Sequence, residues 1–525
     1  MKNLIEKGDI YIGIEFGSTR IKAVMTDVDG NVIASGGKTW ENKLENSVWI
    51  YTTEQIHKGL QDCYANLLDD VKNTYQAVIK KVKAIGISGM MHGYIALDKN
   101  KKILAPFYTW RNNITLEQAN YLTKLFDFNI PQRWSIAHLY RAVQNREAHL
   151  EDVDYLTTLS GYIHYLLTGE KVLGVCEASG MFPIDPQTCD FNSEMIEKFN
   201  FELNKYNYKF KVEDILPKVR CAGEIAGTLT KEGAAFIDVS GNLEAGAVFC
   251  PPEGDAGTGM VATNSIRKKT GNISAGTSAF AMIVLEKELS NVYEEFDIIN
   301  TPDGSIAAMV HSNNCTTEIN SWISLFDEVL MEFGATVDET SLYEKLFLKA
   351  SEGDPDCGGL MAYGFHSGEH ILGLTRGCPV FLHNPDAKFN LSNFMRMQIY
   401  TSFGVLKFGI ELLKNRENVA LDTITAHGGI FKTMGVAQNI LASAINTNVA
   451  VNASAGEGGA WGIAVLAAYL ERANEISLAK FLDTVIFKKS EIKIVAPDPE
   501  TANGYEHFMK NYNQYLKVEH AAILE

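Results

Sequence analysis

Apolar residues in this chain come in short runs that stop at glycine, and the earliest runs flank a tight turn. Ile10 to Met25 reads as a strand, a glycine turn at Gly17 and a second strand. Asp29-Gly30 is a hairpin signal before Val32-Ile33-Ala34, so the chain opens with a meander of antiparallel strands. Thr53 to Lys81 has helical spacing. Val82 to Ser88 is a short apolar strand ending at Gly89-Met90-Met91-His92-Gly93, and the strand Tyr94 to Leu97 turns at Asp98-Lys99-Asn100. Leu116 to Gly169 reads as mostly helical, most strongly from Tyr155 to Leu167. Leu243 to Cys250 predicts a buried strand that Pro251-Pro252 stops. Glu253-Gly254-Asp255 then leads into a small-residue helix through Thr263.

Arg267 to Gly271 is polar and closed by glycine, which places a domain boundary there: one domain over 1–270, a second over 271–525. The second half restarts with strands at Ile273 to Ala275, Ala279 to Leu285 and Ser305 to His311. A long helix follows from Leu391 to Leu413. The strand Thr423 to Ala426 runs into Gly428-Gly429, and Val449-Ala450-Val451 precedes Gly456-Glu457-Gly458-Gly459 and a helix through Tyr469. Both halves mix a strand meander with helices, an α/β arrangement seen twice.

At 525 residues the chain exceeds one hydrophobic core, in keeping with two domains. Its net charge of −17 argues against a general nucleic-acid or anionic-membrane surface, though not against small anionic ligands held by local donors. The eight cysteines are dispersed with no C-x-x-C, the pattern of reduced thiols in a cytosolic protein. The first residues lack an apolar signal core, and no run approaches the ~20 apolar residues of a membrane span, so a cytoplasmic location is the expectation.

The candidate chemistry starts from a repeated design. Gly17-Ser18-Thr19 and Gly276-Thr277-Ser278 each set a glycine and two hydroxyls in a tight turn beside strand-forming residues. Such a turn brings N–H and hydroxyl donors close to a ligand and suits phosphate oxygens, although Gly-Ser-Thr is also ordinary hairpin material. Two copies point to a polyphosphate held between related domains. Lys22 either reaches a phosphate or is a solvated strand lysine. Asp255, at a glycine-lined helix start, is either an N-cap or a carboxylate placed to accept a proton from a substrate hydroxyl. His92 stands at a strand end beside glycine, where a histidine either points into a cleft or is a hydrogen-bonded structural residue. Gly428-Gly429 and Gly456 to Gly462 would let a flat ring or ribose pack on backbone. Tight helix–strand packing explains the same glycines.

Two rival motifs are set aside. Gly257-Thr258-Gly259-Met260-Val261-Ala262 fits a dinucleotide pattern, but Pro251-Pro252-Glu253 separates it from the strand. His366-Ser367-Gly368-Glu369-His370 fits a zinc-protease spacing that works only on a helix, while Gly364, Gly368 and Gly373 argue for loop. There is no G-x-x-x-x-G-K-[ST] phosphate loop.

Taken in order, these pieces resemble the FGGY carbohydrate kinases, within the sugar-kinase, actin and Hsp70 ATPase superfamily, and are most similar to the xylulokinase branch. Gly13 to Thr19 resembles the first phosphate motif and Gly271 to Ser278 the second. Gly86 to Gly93 resembles the substrate segment, commonly Gly-Gln-Met-His-Gly, and Trp110 the tryptophan before an Asp-x-Arg. Glu177-Ala178-Ser179-Gly180 is similar to Asp-Ala-Ser-Gly, Gly254-Asp255 to the catalytic aspartate, and Ser367-Gly368-Glu369 to a Ser-Gly-Glu ahead of the long second-domain helices. Gly428-Gly429 and Glu457 to Gly462 resemble the adenosine motif. Three positions depart: Glu15 replaces the usual Asp, Asn112-Asn113-Ile114 with Arg111 replaces Asp-x-Arg, and Ala256 replaces an Asn, the last two at positions that lie near the sugar in the family.

The resemblance implies two ribonuclease-H-like (actin-like ATPase) domains, each a mixed sheet flanked by helices, with the active site in the cleft between them. It implies an ATP-dependent kinase acting on the terminal hydroxyl of a ketopentose, D-xylulose or L-ribulose, with Asp255 as general base. Gly17, Ser18, Thr19, Gly276, Thr277 and Ser278 would hold the phosphates, and Gly428, Gly429, Glu457 and Gly458 the adenosine. Mg²⁺ would be held through Glu15 and Asp255, and Met91, His92, Trp110 and Asp255 would meet the sugar. The partners implied are the sugar and ATP, with no nucleic acid and no membrane; a homodimer is left open. A kinase of glycerol or gluconate, a non-catalytic sugar or nucleotide sensor on the same fold, and a structural ATPase are the alternatives.

Overall fold

The computed structural model describes residues 1–452, 458–490 and 492–523. They gather into two compact units, each a mixed sheet flanked by helices. The first takes in residues 1–266 and 297–307 with the described part of 454–489, and the second the remainder.

The first unit opens with β1 (Tyr11–Phe16), β2 (Arg20–Thr26) and β3 (Val32–Thr39), the expected antiparallel meander. Helix α1 (Thr53–Tyr75) starts at a capping box in which Thr52 and Gln55 satisfy each other's backbone N–H. It ends at Gln76, whose φ of 49° is left-handed, rather than running to Lys81. Past that point Ala77, Ile79 and Val82 are buried while Val78, Lys80 and Lys81 are exposed. The alternation is that of extended chain. Next comes β4 (Ala84–Gly89), parallel to β1. The segment expected to be helical from Tyr155 opens instead with the short strand Tyr155–Thr157, and helix α2 (Leu159–Thr168) follows. A five-residue helix, α3 (Val175–Ser179), precedes β5 (Gly227–Thr228). The strand expected over Leu243 to Cys250 is reduced to β6 (Val248–Phe249), since Gly246 bends the chain at φ 113° and the Leu243 N–H is taken by Asp238. β7 (Glu253–Gly254) then pairs with β4, and α4 (Asp255–Ala262) starts at Asp255. The sheet runs β5-β6-β4-β1-β2-β3, with β7 also on β4.

The second unit repeats this plan. β8 (Thr270–Ala275) and β9 (Ala279–Val284) form an antiparallel hairpin. Strand β10 (Asp297–Asn300) belongs to the first unit; β11 (Ile306–Ser312) returns to the second. Helix α5 (Leu391–Glu417) starts at Asn390, whose side chain accepts from the Asn393 N–H. β12 (Thr423–Gly428) lies parallel to β8, and β13 (Asn448–Asn452) parallel to β12. The order β11-β9-β8-β12-β13 matches β3-β2-β1-β4-β6 strand for strand.

Helix α6 (Gly458–Tyr469) belongs to the first unit. It is apolar around nearly its whole circumference and packs on β1, β4 and α4. Glycines permit the close approach. A Cβ on Gly13 would lie 2.1 Å from the Ala460 carbonyl oxygen, and one on Gly462 would lie 2.2 Å from that of Thr258. β14 (Ile492–Val495), antiparallel to β13, and α7 (Pro499–Ala522) complete the second unit. All eight cysteines are free thiols. No described helix is long and apolar enough to cross a membrane.

Candidate active site

The turn Gly17-Ser18-Thr19 joins β1 to β2 and is anchored through its carbonyls. Trp40 Nε1 donates to the Gly17 oxygen at 2.7 Å, Tyr51 Oη to that of Ser18 at 2.6 Å, and the Trp40 N–H to that of Thr19 at 3.1 Å. With its acceptors engaged, the turn has donors left to offer a ligand. Trp110 is half-buried, and its indole N–H reaches the Ser18 hydroxyl at 3.2 Å. The Arg111 guanidinium lies 4.5 Å over the Trp49 ring. Asn112 is buried and clamps the Trp49 backbone, accepting from its N–H at 2.8 Å and donating to its carbonyl at 2.9 Å. Its amide therefore serves the loop, which the sequence-level placement of this position near the sugar did not anticipate.

Met91 and His92 follow β4. The Met91 N–H donates to Asp255 Oδ1 at 3.3 Å, which ties the segment to the candidate base. His92 is 5% exposed and sits at φ 69°, a left-handed conformation costly for a side chain with a Cβ. Its ring stacks on Trp134, with Nδ1 3.2 Å from the Gly180 carbonyl oxygen. A Cβ on Gly180 would lie 2.7 Å from that nitrogen, so glycine ends Glu177-Ala178-Ser179-Gly180 because His92 needs the space. Two supports come from β10 and its surroundings: Asn300 N donates to Ser179 Oγ, and Asp297 pairs with Arg133, whose carbonyl accepts from the Gly93 N–H.

Asp255 opens α4. Burial raises its carboxyl to about 6, against the N–H groups of Met91, Ala256 and Asp255 itself, which favour the ionised form. It is not the only acid there. Glu253 is fully buried, raised by burial to about 8, and accepts from the Glu177 N–H at 3.1 Å. Glu177 is also fully buried and burial raises it well above the usual carboxylate range; the Thr158 hydroxyl lies beside it, but neither oxygen has a donor in hydrogen-bond geometry. Sequence reasoning assigned neither Glu253 nor Glu177 to the site. The available signal was an acid on each side of Gly254, at the end of a buried strand.

Glu15 extends from β1 toward α6. Burial raises it to about 7, opposed by Lys22, while Asp255 raises it further; the Gly459 and Ala460 N–H groups favour its ionised form. Glu15 and Asp255 are hard oxygen donors whose charges repel, a pairing that fits a divalent cation taking most of its other ligands from phosphate and water. Among the described residues no cluster of three or more histidines, cysteines or acids could hold a metal ion.

In the second unit, Gly276-Thr277-Ser278 joins β8 to β9 as Gly17 to Thr19 joins β1 to β2. Its glycine N–H closes on the Ser278 carbonyl at 2.8 Å, as that of Gly17 closes on Arg20 at 3.0 Å. Thr316 Oγ1 and the Cys315 N–H take the Gly276 and Thr277 carbonyls at 2.7 and 2.8 Å. Gly428 ends β12 directly beside this turn. Its φ is 126°, and a Cβ there would lie 1.9 Å from the Ala275 carbonyl oxygen, whereas Gly429 faces open space. Gly458 starts α6 in the first unit. Glu457 lies outside the described residues.

The rejected motifs stay rejected. Gly257 and Gly259 lie within α4, not in a strand-to-helix loop. His366 to Glu369 is loop: His366 Nε2 meets Glu318 at 2.8 Å, and the buried Glu369 accepts from Ser312 and Asn314.

The sequence matches the FGGY family of carbohydrate kinases over both parts of its fold, the N-terminal domain at residues 10–242 and the C-terminal domain at 271–471. It is 23% identical over 526 residues to a xylulose kinase of Haemophilus influenzae, covering 97% of this chain and 99% of that one. Among solved structures, a ligand-bound xylulose kinase and a gluconate kinase, both of Lactobacillus acidophilus, each superpose with a TM-score of 0.78 at 16% identity, over 97% of this chain and 98% of theirs. The repeated sheet and the family match together make this chain a member of the FGGY family of carbohydrate kinases, ATP-dependent sugar phosphotransferases.

Proposed function

We propose that this kinase phosphorylates the terminal hydroxyl of a ketopentose, D-xylulose or L-ribulose. The observation that carries the reading is the junction of Asp255 with the Met91–His92 segment: a carboxylate raised to about 6 is bonded to the backbone beside the best-placed polar side chain for a sugar. At neutral pH Asp255 is ionised and accepts the proton of the attacking hydroxyl as the new O–P bond forms. His92, fixed by Trp134 and Gly180, reads a sugar hydroxyl; Met91 lines the same site and Trp110 forms its wall. Phosphoryl transfer is mainly a matter of positioning and charge neutralisation. Gly17-Ser18-Thr19 and Gly276-Thr277-Ser278 hold the phosphates, and Gly428, Gly429, Glu457 and Gly458 the adenosine. Glu15 and Asp255 hold Mg²⁺, which when bound neutralises phosphate charge.

A xylulose kinase and a gluconate kinase superpose equally well, so the fold does not select the acceptor, and gluconate is the alternative. Coupled ATP consumption with D-xylulose, L-ribulose, glycerol and gluconate tests the reading. The ketopentoses are expected to give the highest kcat/KM. A better rate with glycerol or gluconate overturns the substrate assignment, and no turnover with any acceptor supports a sensor instead.

A further inference from the structure

We propose that Glu15 is the anchor of the N-terminus of α6, a positioning residue that fixes the Gly458–Gly459 turn against β1. The first N–H groups of a helix have no partner within it. In α6 two of them, those of Gly459 and Ala460, lie near the Glu15 carboxyl of the neighbouring strand and favour its ionised form. A carboxylate at a helix N-terminus also meets the favourable end of the helix dipole. The fit is close: a Cβ on Gly459 would lie 2.2 Å from Glu15 Oε1 and 2.7 Å from Thr258 Oγ1, so only glycine admits the carboxyl there. Lys22, opposite Glu15 in the β1–β2 register, completes the arrangement, its Nζ 3.9 Å from the position of a Cβ on Gly458. The reach needs glutamate. An aspartate on β1 falls short by one C–C bond, about 1.5 Å. Because the body of α6 is already fixed on β1, β4 and α4, the anchor governs its first turn alone.

The anchor is a property of the ligand-free protein and stands apart from the kinase reading; its effect on nucleotide rests on that reading. Hydrogen exchange read by mass spectrometry over residues 458–464, without metal or nucleotide, tests it in E15D and E15Q. The two substitutions separate reach from charge: Gln keeps the length and an acceptor oxygen, Asp keeps the charge. Exchange of the first-turn amides is expected to rise about tenfold in E15D and to stay within about threefold of the parent in E15Q. Gly459→Ala, which displaces the same carboxyl from the helix side, is expected to match E15D and keeps the test open if E15D does not fold. In Gly459→Ala, which keeps Glu15 itself, the KM for ATP is expected to rise several-fold with the sugar KM unchanged, a split that general loosening does not produce. Unchanged exchange in E15D, or equal loosening in E15D and E15Q, overturns the anchor. Loosened exchange in a protein with no kinase activity sinks the kinase reading and leaves the anchor standing.

Discussion

Replacing Asp255 by Asn should make the protein more stable and nearly inactive, and the two effects have one cause. The carboxyl is raised from 3.8 to about 6, chiefly by burial. Its ionised form is therefore disfavoured in the folded chain. The sign follows: well below pH 3.8 the group is protonated in both states and the fold bears no penalty. The penalty grows as pH rises from 3.8 to about 6 and is complete above it. A shift of roughly two pKa units corresponds to about 3 kcal/mol, an upper figure because Asp255 keeps some solvent contact. Asn carries no such charge, and its oxygen can still accept the Met91 N–H. For a unit of about 300 residues, unfolding entropy near 0.6 kcal/mol/K turns that energy into a rise in midpoint of at most about 5 °C. Thermal melts of both proteins at pH 4.5 and 7.5 are the assay, with turnover measured alongside. The variant should melt higher at pH 7.5, keep only about a third of that advantage at pH 4.5, and lose about 10²-fold or more in turnover with nucleotide binding intact. Parent kcat/KM should fall as pH drops through about 6. A variant less stable at pH 7.5, or one that turns over normally, refutes the reasoning.

His92→Ala should raise the sugar KM far more than the ATP KM, and unchanged sugar kinetics in a folded variant would remove His92 from the site. Gly180→Ala, whose Cβ would lie 2.7 Å from His92 Nδ1, should impair sugar use in the same direction without touching His92 itself; equal damage to ATP use would point to general disruption. Gly13→Ala places a methyl 2.1 Å from the Ala460 oxygen and 2.5 Å from the Ala464 nitrogen, both backbone, and should cost about 2–4 kcal/mol in urea denaturation. Thiol titration in denaturant without reductant should count eight reactive cysteines, and a lower count would reveal a disulfide.

The parts of the site legible in the sequence are those whose chemistry is local. A glycine followed by two hydroxyls, between two strand runs, needs only its neighbours to become a donor-lined turn, and both copies form one. The same holds for Asp255, where Gly254 and the small residues after it already mark an open helix start. What escaped the sequence depends on partners far along the chain. Glu253 shows nothing of its role until folding brings it against Glu177, 76 positions away, and buries both. Asn112 reads as a substrate residue because its neighbours do, yet its amide is spent on Trp49, 63 positions away. The segment from Ala77 to Val82 reads as helix because a short alternating run can mimic helical spacing; a left-handed Gln76 decides the matter.

Glycine was the most informative residue type and also the most ambiguous, for one physical reason. Its missing Cβ admits a ligand, a left-handed backbone or another element of the chain, and sequence does not say which. The structure divides these uses. Gly13, Gly459 and Gly462 are filled by α6 and its neighbours, Gly428 by the end of β8, and Gly180 by His92, whereas Gly429 faces open space. Close packing thus explains Gly428, Gly459 and Gly462, which sequence reading offered to a nucleotide, whereas no atom lies closer than 3.8 Å to the position of a Cβ on Gly276, Gly429 or Gly458. Residues on both sides of such a contact are constrained together: Glu15 reaches α6 only because Gly459 has no side chain, and Gly459 cannot gain one while Glu15 stays. A departure at the first phosphate turn is therefore interpretable only together with the helix it touches more than 440 residues later.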